Sequence, residues 1–163
     1  MGNIRLVKEG RSKGEVESAI RNAVIKFEQE FMGRGPDDVR AFIVRDIILD
    51  RLKGVLTPAE RQLAKTQDGV EMVKRLRQNL IAQGRDKLCE QMSNITGGTV
   101  TALYTDIDTQ IGERIIVFTL DQDLEATFQY TVPPARTAFG PMMGLSAAQA
   151  GSRRHPSTPL TQP

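Results

Sequence analysis

The chain is poor in the side chains on which most recognisable chemistry is built. Histidine occurs once in 163 residues, at His155, and cysteine once, at Cys89. A single histidine near the end leaves no imidazole for a catalytic triad or an HExxH zinc helix within the patterned part of the chain. A lone cysteine excludes a disulfide framework, a CxxC pair and a thiolate zinc cluster, and fits a reducing compartment. Cys89 stands beside Leu88 and Met92 with no histidine to lower its pKa, so it reads as an inert buried thiol. Long apolar runs are also missing: no stretch approaches the roughly eighteen residues needed to span a bilayer. The opening "MGNIRLVKEGRSKGE" lacks the apolar run of a signal peptide, and Leu6 stands where a myristoylation signal wants Ser or Thr. A cytoplasmic chain without direct membrane insertion is expected.

Charge of one sign is scarce too. The formal net charge is +2, with four Lys/Arg and one Glu in residues 1–14 and three Arg and two acids in residues 122–163. Subtraction leaves residues 15–121 with 15 basic and 17 acidic side chains. A slightly acidic core cannot neutralise several phosphates at once, so nucleic acid is not an expected partner.

What is present is periodic. Ser12 and Glu15 form a capping box, and Val16, Ile20, Ala23, Val24, Phe27 and Phe31 follow at helical spacing until "GRGP". This predicts a helix over about 13–32. "DVRAFIVRDIILDRLKGVL" changes period around Arg45 and Asp46 and predicts a hairpin, about 38–45 and 47–55. Thr57, Pro58 and Glu60 open a short helix to about Lys65. Asp68 with Glu71 restarts a long one, whose stripe of Val70, Val73, Leu76, Leu80, Leu88, Met92 and Ile95 runs to Thr96-Gly97-Gly98. That helix is longer than a small sheet needs, so its far end is expected to cover a partner subunit in a homodimer. Gly84 inside it suggests a close backbone approach. Strands at about 99–108 and 113–121 complete the order α-β-β-α-α-β-β, in which each half is a helix, a glycine stop and an antiparallel pair. The expected fold is α+β, two-layer: a four-stranded antiparallel sheet covered by helices on one face. Residues 1–12 are expected to form a basic arm, 13–121 the domain, and 122–163 a disordered tail holding six of the eight prolines.

Candidate site residues are few. Arg34 in "GRGP" is the plausible anion contact, although that loop follows a helix and precedes a strand, the reverse of a phosphate-binding loop. Arg45, Asp46, Asp50 and Arg51 alternate in sign across the first hairpin, which cross-strand pairing explains. Lys74, Arg75 and Arg77 form a basic cluster on the long helix, read as a solvated face balanced by Asp68, Glu71 and Asp86. Asp106 and Asp108 in "TDIDTQIGERIIVFTLD" share one face of a strand, as two ligands to an ion would. Against the calcium-loop template they fail at Gln110, Ile111 and Val117, so Asp108, Thr109 and Gly112 read as turn formers, with Glu113 and Arg114 opening the returning strand. No metal, cofactor or catalytic residue is expected.

Two stretches, "FMGRGPDDVRAFIVRDIILDRLKGVLTPAERQLAK" and "ITGGTVTALYTDIDTQIGERIIVFTLD", with the helix between them, resemble the bacterial MpsC family over about residues 13–121. That family is named for a component of a sodium-translocating membrane-potential-generating system. The resemblance implies a non-enzymatic, cytoplasm-facing accessory subunit beside an antiporter-like membrane subunit and a large soluble subunit, and it supplies no catalytic residues. The alternative is a small cytosolic ligand-binding or regulatory domain unrelated to transport.

Overall fold

Local signals place most elements of the computed structural model, which describes residues 10–129. The Ser12 hydroxyl accepts from the Glu15 amide and the Glu15 carboxylate accepts from the Ser12 amide, starting α1 (Lys13–Met32). Gly33, at φ 78°, ends it in the left-handed region that glycine enters without steric cost. The strands β1 (Asp38–Val44) and β2 (Ile47–Lys53) pair antiparallel from Val44 opposite Ile47 to Asp38 opposite Lys53. A second capping box, Thr57 with Glu60, opens α2 (Pro58–Leu63). Thr66, rather than Asp68, caps α3 (Gln67–Thr96), whose 30 residues span about 45 Å. Gly97 closes α3 as Gly33 closes α1, again at φ 78°. Then come β3 (Val100–Asp108) and β4 (Glu113–Leu120).

The two hairpins meet through β2 and β4, giving one antiparallel sheet of spatial order β1-β2-β4-β3. Alternation sorts the faces. Val39, Ile43, Ile48, Leu52, Leu103, Ile107, Ile116 and Phe118 point into the core, where α1 and α3 lie against them. The expected α+β fold, with its four antiparallel strands, is the observed one.

One element was not expected. After β4 the chain forms α4 (Leu124–Gln129), within the stretch that shows no sustained period in the sequence. A distant contact fixes it: the Leu124 amide donates to the Arg45 carbonyl at 2.8 Å, and the Leu124 side chain is fully buried. Arg45 holds φ at 55°, a strained value for a residue with a side chain, and its neighbour's carbonyl, that of Asp46, accepts from the Leu120 amide at 2.8 Å. Residues 1–9 of the arm expected over 1–12, and residues 130–163 of the tail expected over 122–163, lie outside the described residues.

Gly84 does mark a close approach. A Cβ there would sit 2.4 Å from Cε2 of Phe27, a buried ring stacked on Phe31 with centroids 4.5 Å apart. Gly84→Ala is therefore expected to lower stability by about 1–3 kcal/mol through overpacking, although alanine favours a helix by about 1 kcal/mol. Gly14→Ala, in α1 with nothing within 4 Å of the added carbon, is expected to gain stability instead. Thermal melts of the two variants should move in opposite directions.

Candidate functional site: a buried arginine and glutamate network

Four charged side chains close on one another beneath the sheet. Arg77 occupies the α3 position between Val73 and Ile81, one turn from each, and is 1 % exposed. Its Nε and Nη2 donate to the two carboxylate oxygens of Glu60, each at 2.8 Å, and Nη2 also donates to the Val55 carbonyl. Glu60 completes the capping box of α2 by accepting from the Thr57 amide, so the same carboxylate that helps start a helix neutralises an arginine. Burial alone would raise the Glu60 pKa; the Arg77 guanidinium and then Thr57 outweigh it, and the carboxyl lies below its ordinary value. On the other side, Glu28 of α1 lies between two guanidiniums. Its Oε2 is 3.6 Å from Arg77 Nη1, and its Oε1 accepts from Arg114 Nη1 at 2.9 Å. Arg114, near the start of β4, also donates to the Thr105 hydroxyl at 3.2 Å and to the Arg77 carbonyl at 3.5 Å. Burial pulls the Arg114 pKa below its ordinary value against the opposing field of Glu28.

The network is electrically balanced, two cations against two anions, and nearly saturated. Arg77 Nη1 is the one guanidinium nitrogen of the pair left buried without a hydrogen bond. A crevice of about 10 Å³, room for a single water, opens beside it between Lys74, Gln78, Thr105 and Asp106. Such an arrangement ties α1, α2, α3 and the sheet together; it offers little unspent charge to a substrate.

The basic cluster of α3 is thus divided. Lys74 lies 3.8 Å from Asp106 at the surface, but Arg77 is not part of a solvated face. It has taken the core position expected of Leu76, which is 48 % exposed. Asp50 departs further from expectation. It alternates with Ile48 and Leu52 on the core side of β2, is fully buried, and neither of its carboxylate oxygens has a hydrogen-bond partner among the described residues. Burial pushes its pKa up to about 8, so the carboxyl is mostly protonated at neutral pH.

Of the residues singled out from the sequence, Arg114 and Arg77 belong to the network, Arg77 against its reading as part of a solvated face, and Asp106 lies beside the crevice. Arg34 spends its donors on the Asp37 carboxylate at 2.6 Å and on the Leu56 and Gly35 carbonyls at 3.2 Å each, stitching a loop. Arg45 reaches Asp123 at 3.6 Å, and Asp46 acts through its backbone. Arg51 pairs with Glu113 at 2.7 Å on the surface. Asp108 accepts from the Gln110 and Ile111 amides and shapes the β3–β4 turn. The structure therefore does not gather these residues into one site. Among the described residues, no group of three or more His, Cys, Asp or Glu could hold a metal ion.

Comparison with known proteins gives a consistent family match. Residues 12–122 match the family described as Na+-translocating membrane potential-generating system (MpsC). Two proteins of Bacillus subtilis (strain 168) are similar along most of their length. The uncharacterized protein YbcI is 37 % identical over 119 residues, 73 % of this chain and 96 % of its own. The uncharacterized protein YrhF is 29 % identical over 107 residues, 65 % of this chain and 88 % of its own. No solved structure matches the chain.

Proposed function

The chain belongs to the MpsC family, and from that premise we propose that it is a non-enzymatic accessory subunit of a sodium-translocating membrane-potential-generating system. The match across residues 12–122, the whole of the sheet and its covering helices, is the observation that carries this reading. No helix among the described residues is long and apolar enough to cross a membrane. In this role the membrane-spanning path belongs to an antiporter-like partner, with a large soluble subunit completing the assembly, and the chain works at the cytoplasmic face. The internal use of Arg77, Arg114, Glu28 and Glu60 suits a rigid binding part better than a catalyst, because the charges are spent within the fold.

Affinity purification of the tagged chain from its own host is expected to enrich membranes and an antiporter-like membrane protein, and deletion of that membrane protein should release the chain. A tagged chain that stays free of membranes and of any such subunit would overturn the accessory role.

A further inference from the structure

The helices cover one face of the sheet, and the register orders what the other face presents. Four rows run across β1, β2, β4 and β3. The first is Val44, Ile47, Thr119 and Ala102; the second is Phe42, Leu49, Val117 and Tyr104. The third is Arg40, Arg51, Ile115 and Asp106, and the fourth is Asp38, Lys53, Glu113 and Asp108. Seven of the eight side chains in the first two rows are apolar or aromatic, Thr119 being the exception, and Phe42 is 43 %, Val44 52 % and Tyr104 62 % exposed. An antiparallel sheet with one face in water ordinarily carries polar residues there, and a patch of this kind marks an interaction surface.

We propose that this face is the interface with a second copy of the same chain, packed sheet on sheet about a two-fold axis parallel to the strands. The spatial order makes the face self-complementary. Such an axis lays β1 over the second copy's β3 and β2 over its β4, keeping each row opposite itself. Phe42 then faces Tyr104, Leu49 faces Val117 and Val44 faces Ala102. In the third row Arg40 faces Asp106, and in the fourth Lys53 faces Glu113. The alternative in-plane axis, perpendicular to the strands, sets the apolar rows on the charged ones and is disfavoured by desolvation. Aligned sheets pack about 30° apart, a rotation that long arginine and lysine side chains follow. Asp38 and Asp108 are the like-signed exception, at an edge where water screens them.

The pairing also answers an oddity of the single chain. Arg40 and Arg51 are direct cross-strand neighbours, an unfavourable placement for two cations. Arg51 is relieved by Glu113 of its own chain at 2.7 Å, whereas Arg40 has, among the described residues, only Asp38 at 3.5 Å. A second copy brings Asp106 to Arg40, twice over by symmetry; within its own chain Asp106 has Lys74 at 3.8 Å and keeps 82 % of its side chain exposed for the second partner. Self-association through this face does not depend on the transport role, and it leaves the far end of α3, where Leu88 and Met92 are buried in their own core, out of the interface.

Sedimentation velocity of the full chain at micromolar concentration is expected to give a dimer. Arg40→Asp and Asp106→Arg should each weaken it roughly tenfold or more, and the two together should restore it, because the reversed charges again face each other. Phe42→Lys should yield monomer. Since these positions are exposed, circular dichroism should show every variant folded. A wild-type monomer, a dimer indifferent to Phe42→Lys, or a double reversal that stays as weak as the singles would overturn the proposal. So would a monomer that dimerises only after truncation beyond Gln129, which would make the chain's own tail the occupant.

Discussion

Replacing Glu28 by alanine is expected to cost the fold about 3–5 kcal/mol, a large share of the stability of a domain this size. Glu28 is 1 % exposed and stands between Arg77 and Arg114, each also 1 % exposed. Its removal leaves three charges where four were balanced, and Arg114 loses its carboxylate. The guanidiniums cannot relax by losing a proton, and at 1 % exposure they cannot reach water without opening the core. The same logic fixes the sign of a second substitution. Arg114→Met on the Glu28→Ala background removes the orphaned cation and leaves the Arg77 and Glu60 pair, so the double variant should be more stable than Glu28→Ala alone. Urea unfolding of the wild type, both single variants and the double variant tests this. A double variant less stable than either single would show that the four residues do not act as one charge group.

Asp50 should make stability fall as the solution becomes more alkaline. In the unfolded chain its carboxyl releases a proton near the ordinary value of about 3.9, while in the folded chain it holds that proton up to about 8. Between these values the native state binds the extra proton, so rising pH favours unfolding. The penalty is absent in acid, below the unfolded value, and complete above the folded one. Each unit of separation is worth about 1.4 kcal/mol, so the whole window is worth several kcal/mol. Asp50→Leu should remove the slope and exceed the wild type by on the order of 3 kcal/mol at pH 8, with a much smaller gain near pH 4. Asp50→Asn, closer in shape, should flatten the same window. A stability gap between wild type and variant that stays constant across the range would mean that Asp50 is ionised in the native state.

These two predictions concern residues whose role the sequence obscures for a specific reason. Charged side chains are assigned to solvent by default, yet Glu28 lies one turn after Val24 on the stripe of α1, and Arg77 lies midway between Val73 and Ile81. Asp50 alternates with Ile48 and Leu52, and Arg114 with Ile116 and Phe118. A charge in phase with a core is the available signal, set against the default that sends Arg77 to a solvated face and Asp50 to a cross-strand pair. Elements fixed by neighbouring residues were legible: both capping boxes, the glycine stops of α1 and α3, and the change of period at both hairpins. What depended on distant partners was not. Leu124 at the start of α4 is held by the Arg45 carbonyl and by burial in the core, and the burial of Arg77 in place of Leu76 is matched by Glu60 and Glu28.

The buried network also bears on the order in which the molecule assembles and comes apart. Glu28 and Arg114 are 86 residues apart in sequence, and Arg77 must meet Glu60 across 17. Closing the loop between Glu28 and Arg114 is entropically costly before its contact rewards it, so that pair is expected to form after the hairpins and capped helices. A contact absent from the folding transition state leaves the folding rate alone and slows unfolding. Glu28 and Arg114 are thus expected to act as a latch, and Glu28→Ala should raise the unfolding rate far more than it lowers the folding rate.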